Sequence, residues 1–256
     1  MQYRLDAPLD ELLDMARQRF DVAFEPVNVG DIRVEVLQVQ NMKDYLDRLV
    51  PTIHEDALTA LPLWAKIWPS AIVLGHALRR ISSHGKSLLE IGAGCGVTGL
   101  LAAGMGFAEV TISDINEDAL LFAQIAALHN GLGDVVRVRR VDIASTRLDT
   151  AFDYIAGAEV LYLEPLHRPL VKFLRHHLAA RPDAEALLAK DYRRKAKKFF
   201  KLAERDFRIT DHVVGTRETN APAPSVSDTV PPANPATAGA EAPARALFTI
   251  HSLRVK

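Results

Sequence analysis

The 256-residue chain has a single cysteine, Cys95, so it can neither close an internal disulfide nor build a zinc site from thiolates alone. Its nine histidines never fall into H-E-x-x-H or a comparable ligand spacing, and no metal centre is expected. It also lacks an excess of either charge: 31 Lys+Arg against 32 Asp+Glu leave -1, too little to coat a nucleic acid or a membrane surface. No stretch approaches the ~20 apolar residues of a spanning helix. The opening MQYRLDAPLDELLDMARQRF mixes charges with apolar side chains, unlike a secretory leader. Repeats of solenoid period are missing too. Together these absences exclude a disulfide-rich secreted module, a fibrous repeat and a helical membrane protein. The expectation is a reducing, cytoplasmic compartment and a partner met through a local patch rather than through bulk charge.

What is present is a regular alternation. Leu9, Leu12, Leu13 and Ala16 predict a short amphipathic helix, and Ile32, Val34 and Val36 alternate with polar residues as a half-buried strand does. A mixed helical stretch is expected over residues 41–60. The segment LPLWAKIWPSA follows and holds both tryptophans, with Pro69 suited to the first turn of a helix. From residue 87, SLLEI, a glycine loop, TGLLAAGMG and EVTIS read as a βαβ unit. Asn116 is a good N-cap for the next helix, with Glu117 and Asp118 in its first turn and Gly131 at its end. VVRVRRV, DYIAGA and EALLAK are further strands, and PLHRPLVKFLRHHLAA is a crossover helix whose His176 and His177 are expected at the surface. FRITDHVVGTRE and ALFTIHSLRVK are expected to pair antiparallel at the sheet edge. Between them, Pro222, Pro224, Pro231, Pro232, Pro235 and Pro243 make 219–245 a Pro/Ala-rich stretch that cannot bury enough apolar area to order itself, so a disordered loop is expected. The fold class that results is α/β: a Rossmann-like, seven-stranded, mainly parallel sheet with an antiparallel C-terminal edge strand and N-terminal helix and hairpin additions.

The loop Glu90-Ile91-Gly92-Ala93-Gly94-Cys95-Gly96-Val97-Thr98-Gly99 lies between a strand and a helix, where free helix N–H groups and glycine backbone admit a ligand closely. Gly94, Gly96 and Gly99 satisfy G-x-G-x-x-G, and Asp114 lies 20 residues (114 − 94) beyond Gly94, so a dinucleotide has to be weighed. Against it, Glu90 stands where a pyrophosphate would sit and would repel one. S-adenosylmethionine carries no phosphate and two cationic groups, so an acid there is welcome. Asp114 suits the ribose hydroxyls of either cofactor. Tight helix–strand packing is the plain reading of the glycines, and a buried packing role that of Cys95.

LLEIGAGCGVTG followed by TISDIN resembles the first two motifs of class I, seven-β-strand methyltransferases. WAKIWPSA upstream and GAEVLY downstream resemble methyltransferase family 16, the protein lysine methyltransferases that include the electron transfer flavoprotein β-subunit enzyme. The likeness runs from about Trp64 to about Phe207. It implies 61–256 as an S-adenosylmethionine-dependent methyltransferase domain, with 1–60 an N-terminal extension packed on it. It further implies that Trp68, Glu90, Gly92, Ala93, Gly94, Asp114, Ile115 and Ala158 line the cofactor, that Asp142 and Ile143 flank its adenine, and that Glu159-Val160-Leu161-Tyr162 is the acidic-x-x-aromatic motif after the fourth strand. Relatives often have Trp where Ile143 stands and Asp where Glu159 stands, so this chain departs from the pattern at both places.

In that setting Glu159 would orient an incoming lysine ammonium and Tyr162 would wall the amine. Outside it, the same tetrad reads as a solvated strand end. GAEVLY lacks the Asn/Asp-Pro-Pro-aromatic motif of base methyltransferases. The function expected is methylation of a lysine side chain in a protein; the rivals are a small-molecule or RNA methyltransferase, an inactive cofactor-binding module and, behind these, a nicotinamide dehydrogenase. The run KDYRRKAKKFFK, with Arg193, Arg194, Lys197 and Lys198, is either a solvated helix face or a docking patch, for an acidic protein first and RNA second.

Overall fold

In the computed structural model, which describes residues 3–49, 61–216 and 246–256, the chain opens with α1 (Leu9–Arg17). Leu12, Leu13 and Ala16 are buried, with Asp10 and Glu11 in the first turn and Arg17 in the last, where the helix dipole favours each sign. β1 (Val22–Val29) and β2 (Ile32–Val39) form an antiparallel hairpin. Its turn is made by Gly30, at φ 64°, a left-handed conformation that glycine adopts without cost. α2 (Met42–Leu49) is the part of the expected 41–60 helical stretch that falls within the described residues. The expected 219–245 loop lies outside them.

These N-terminal elements are joined to the rest through aromatic packing. Phe20 is 4% exposed and meets Tyr45, Trp64 and Phe122 edge-on, with centroids 5.4, 5.8 and 5.3 Å away. Arg19 and Tyr3 both hydrogen-bond the Asp118 carboxylate from across the chain. Phe20→Ala is therefore expected to lower unfolding free energy by about 3–5 kcal/mol in urea titration; a loss below about 1 kcal/mol would show that the extension is not held by this ring.

α3 (Pro69–Leu78) starts with Pro69 in its first turn and Trp68 at its N-cap. Then come β3 (Ser87–Ile91), α4 (Val97–Gly104), β4 (Glu109–Asp114), α5 (Glu117–His129), β5 (Val136–Arg140), β6 (Tyr154–Ala158), α6 (His167–His177), β7 (Glu185–Asp191), α7 (Lys197–Ala203), β8 (Phe207–Thr216) and β9 (Ala246–Val255). Asn116 caps α5 by accepting from the Ala119 N–H at 3.0 Å, and Gly131 follows its end at φ 68°.

The seven-stranded sheet has the order β5-β4-β3-β6-β7-β9-β8. Pairs from β5 to β7 are parallel and those of β9 antiparallel. Central strands such as β3 and β6 are buried nearly throughout because both faces are covered, whereas β5, at one edge, buries only Val136 fully and Val138 in part. The last strand is antiparallel as expected, and it inserts between β7 and β8, which leaves β8 as the other edge. One core lies against α3, α4 and the hairpin, a second against α6 and α7, and a third joins α1 to α5. Successive strands leave β3 first to one side (β4, β5) and then to the other (β6, β7). Such a reversal opens a crevice beyond the carboxyl ends of β3 and β6, where open α/β sheets take their ligands.

Candidate active site

The crevice is a cavity of about 330 Å³. Its floor is the loop after β3. Gly92 and Gly94 have φ values of 56° and 54°, and a Cβ on Gly94 would stand 2.8 Å from the Trp64 carbonyl oxygen, so only glycine fits there. The Gly94 N–H donates to Asp114 Oδ2 at 2.9 Å and the Asn116 N–H to Oδ1 at 2.9 Å. Those two bonds fix the carboxylate at the end of β4 and leave lone pairs on both oxygens for a ligand. Burial pushes Asp114 up from its usual range, opposed by these backbone N–H groups.

Glu90 borders the same cavity but turns toward α4. Its Oε1 accepts from the Thr98 N–H at 3.1 Å and its Oε2 from the Gly99 N–H at 2.8 Å. The carboxylate occupies the helix amides at which phosphate-binding folds hold their anion. Burial raises Glu90 to about 7 while both N–H bonds oppose the shift. Phosphate has no place at this helix end. Four acidic side chains (Glu90, Asp114, Asp142, Glu159) line the cavity against two cations, Lys66 and Arg194, and this suits a cationic nucleoside without phosphate. S-adenosylmethionine has that chemistry.

All twelve residues singled out from the sequence border this one cavity: Trp68, Glu90, Gly92, Ala93, Gly94, Asp114, Ile115, Asp142, Ile143, Ala158, Glu159 and Tyr162. Trp68 donates its indole N–H to the Leu63 carbonyl at 2.9 Å, with the Lys66 ammonium 5.2 Å from its ring centre. Asp142 is held by the Ser145 hydroxyl and the Ala144 N–H, which keep its carboxyl below the usual range. Sequence reasoning missed Trp64, whose ring packs on Phe20 and Phe122 while its backbone borders the loop. It also missed the inward turn of Arg194, for which a charge run gives no signal.

Glu159 has φ 55°, and it is the one non-glycine residue with positive φ among the described residues. Such backbone costs of order 1–2 kcal/mol for a residue with a Cβ. It is held there by its own N–H, which donates to the Ala189 carbonyl at 2.8 Å, and by its Oε1, which accepts from the Asp191 N–H at 2.8 Å. Oε2 is buried without a hydrogen-bond donor and lies 3.3 Å from Arg194 Nε as an ion pair. Tyr162, three residues on, is 45% exposed at the rim. Its hydroxyl is raised first by partial burial and then by Asp114, with Arg194 acting the other way. The loop that carries Tyr162 is tied to α6 through His167 Nε2, 3.0 Å from the Leu161 carbonyl.

With this geometry in place, comparison with known proteins gives a consistent result. The model of a family described as lysine methyltransferase matches residues 47–206, more than half of the chain. The chain belongs to the lysine methyltransferase family. Among curated relatives, EEF1A lysine methyltransferase 3 of Mus musculus is 30% identical over 226 residues, covering 79% of this chain and 94% of that protein. Protein N-lysine methyltransferase METTL21A of Danio rerio is 35% identical over 121 residues, 44% of this chain and 54% of that protein, so this second match spans only about half the relative's length. Of the solved structures, the ribosomal protein L11 methylase of Lactobacillus delbrueckii subsp. bulgaricus superposes with a TM-score of 0.54 at 17% identity, over 91% of this chain and 99% of that one. At that identity it shows a shared fold.

Two surface expectations change for this family member. His177 is buried, not exposed: its Nδ1 lies 2.9 Å from the Phe173 carbonyl and its Nε2 accepts from the Leu148 N–H at 2.9 Å. That tautomer is neutral, and burial lowers its pKa. In the basic run, Arg193 pairs with Asp191 at 3.1 Å, Lys198 with Glu164 at 2.8 Å and Arg194 with Glu159. Of the four cations named from the sequence, only Lys197 has no carboxylate partner among the described residues. No described helix is long and apolar enough to cross a membrane.

Proposed function

We propose that this chain uses S-adenosylmethionine to methylate a lysine side chain of a protein, with 61–256 as the catalytic domain and 1–60 as an extension packed on it. The observation that carries the reading is Glu159. A strained, nearly buried carboxylate keeps one oxygen without a hydrogen-bond donor, and it faces a cavity whose other acids suit a sulfonium nucleoside. The names of the relatives point to the same substrate class.

When bound, S-adenosylmethionine supplies a methyl group activated by the positive sulfur. Asp114 would hold the ribose hydroxyls, Ile115 and Ile143 would face the adenine together with Asp142, and Trp68 and Ala158 would border the remainder. Glu159 Oε2 takes one N–H of the arriving ammonium and so aims the nitrogen, while Tyr162 walls it from solvent. One proton leaves to water before attack, because a lysine amine of pKa ~10.4 arrives protonated. Glu159 and Tyr162 would hold the freed nitrogen lone pair facing the activated methyl group that the bound nucleoside would supply. Positioning and electrostatics do the work, without a covalent enzyme intermediate. Lys195, Lys197 and Lys201, exposed and without carboxylate partners among the described residues, favour an acidic stretch on the substrate protein.

The test is incubation of the purified protein with methyl-labelled cofactor and cell extract, followed by protease, nuclease and amino-acid analysis. The expected result is protease-sensitive label recovered as methyl-lysine; nuclease-sensitive label, or label recovered as methyl-arginine, would overturn the reading. Calorimetry should give binding of S-adenosylmethionine and none of NAD.

A further inference from the structure

The loop between β7 and α7 places Arg194 where an acceptor lysine has to arrive. Its backbone is anchored: the Arg194 carbonyl accepts from Lys190 Nζ at 2.7 Å, and Lys190 is a buried residue of β7. Its side chain is half exposed, at 48%. The contact with Glu159 is an ion pair without hydrogen-bond geometry, since Oε2 still lacks a donor. A buried acceptor left in that state favours any donor that satisfies it. An incoming ammonium therefore displaces the guanidinium from contact without driving it out of the neighbourhood.

We infer that Arg194 is an electrostatic positioning residue of the acceptor site: it neutralises Glu159 in the empty enzyme and, once an amine is seated, disfavours the protonated form of that amine. This rests on the reading of Glu159 given above. Glu159 alone would stabilise the ammonium and delay loss of its proton, because an opposite charge within ~4–6 Å favours the charged form. A guanidinium beside it cancels that effect, and the carboxylate still orients the nitrogen.

Other charged groups around this point are fixed in other ways. From β3, β4 and the β5 loop come Glu90, Asp114 and Asp142, each tied to backbone N–H groups. From the loop after β6 comes Tyr162, and from the segment before α3, Lys66 over Trp68. From β7 come Lys190 and Asp191, the latter paired with Arg193, and from β8 Asp211, paired with His251 of β9. Among the cations bordering the cavity, Arg194 is the one in contact with Glu159.

The experiment is the pH dependence of kcat on the protein substrate, from pH 7 to 10, for wild type, Arg194→Met, Arg194→Lys and Glu159→Gln, with S-adenosylhomocysteine affinity and thermal melting as controls. Arg194→Met is expected to move the acid limb of the profile up by about one pH unit. At pH 7 that is about a tenfold loss of kcat, restored at high pH, with KM unchanged or lower and cofactor affinity intact. Arg194→Lys should keep the wild-type profile. A loss that is equal at every pH, or a profile that does not move, would overturn the inference. If Glu159→Gln keeps full activity, the reading of the acceptor site itself fails; if it is inactive while Arg194→Met leaves the profile in place, only the role of Arg194 falls.

Discussion

Glu159→Gln should lower kcat by about 10²–10⁴-fold while leaving S-adenosylhomocysteine affinity within threefold of wild type. The amide keeps the size of the side chain and one acceptor oxygen for the Asp191 N–H, so the local fold is expected to survive. In the proposed mechanism it loses the negative charge that draws the ammonium and the second oxygen that aims it. A companion substitution separates function from strain. At φ 55° a glycine relieves the backbone cost but leaves the Asp191 N–H without its acceptor, so Glu159→Gly should change stability by no more than about 1–2 kcal/mol and lose turnover as completely. Measuring kcat and urea midpoint on both variants is decisive. If Glu159→Gln turned over at the wild-type rate, or Glu159→Gly were destabilised and still active, the carboxylate would be a structural strand end and nothing more.

The strain also bears on what the sequence made legible. Strands β3, β4, β6 and β7 stand out as short apolar runs because both faces of the parallel sheet are covered, and the glycine loop is visible because its backbone angles admit little else. The N-cap at Asn116, the proline at the start of α3 and the late pair of antiparallel strands follow from chemistry confined to a few neighbouring residues. Within the expected hairpin, β1 is harder to place than β2 because Pro26 interrupts it, and a proline demotes a strand by local rules. It is tolerated because the hairpin is only two strands wide and the free edge of β1 needs no donor at that position. His177 ends a run that reads as polar, and only the packing of α6 against the segment after β5 shows that its ring bridges the Phe173 carbonyl and the Leu148 N–H. The insertion of β9 ahead of β8 is likewise a matter of pairing with β7 across 57 (248 − 191) to 67 (253 − 186) residues of sequence, which periodicity does not encode.

The same divide runs through the site. Residues contributed by strand ends and by the glycine loop are legible, since the sheet's topology alone brings them to one crevice. Arg194 is not, because a run of lysines and arginines reads as solvated surface. Its inward turn depends on Lys190, a buried cation that uses its ammonium to hold the Arg194 carbonyl. Burial lowers the pKa of that lysine, with Glu159 as the largest opposing influence, so Glu159 and the anchor of Arg194 are electrostatically coupled.

Asp114→Ala is expected to weaken S-adenosylmethionine and S-adenosylhomocysteine alike, by about 10²–10⁴-fold in calorimetric titration, with activity lost in proportion at sub-saturating cofactor. Two charge-assisted hydrogen bonds to a ribose, each contributing about 1.5–3 kcal/mol, set that range. Part of the loss comes through the loop, because the Gly94 and Asn116 N–H groups lose their acceptor. Asp114→Asn divides the two parts. It preserves one acceptor oxygen but turns an NH₂ toward the other backbone N–H, so the loop is disturbed while a ribose contact survives, and the loss should be smaller than for alanine. Thr98→Ser serves as a control in the same region: the Thr98 N–H bond to Glu90 is unaffected by the side chain, and cofactor affinity should stay within threefold. Were Asp114→Ala to bind either nucleoside as tightly as the parent chain while melting at the same temperature, the carboxylate at the end of β4 would not be a ribose ligand. The crevice beside it would then have to hold something other than a nucleoside.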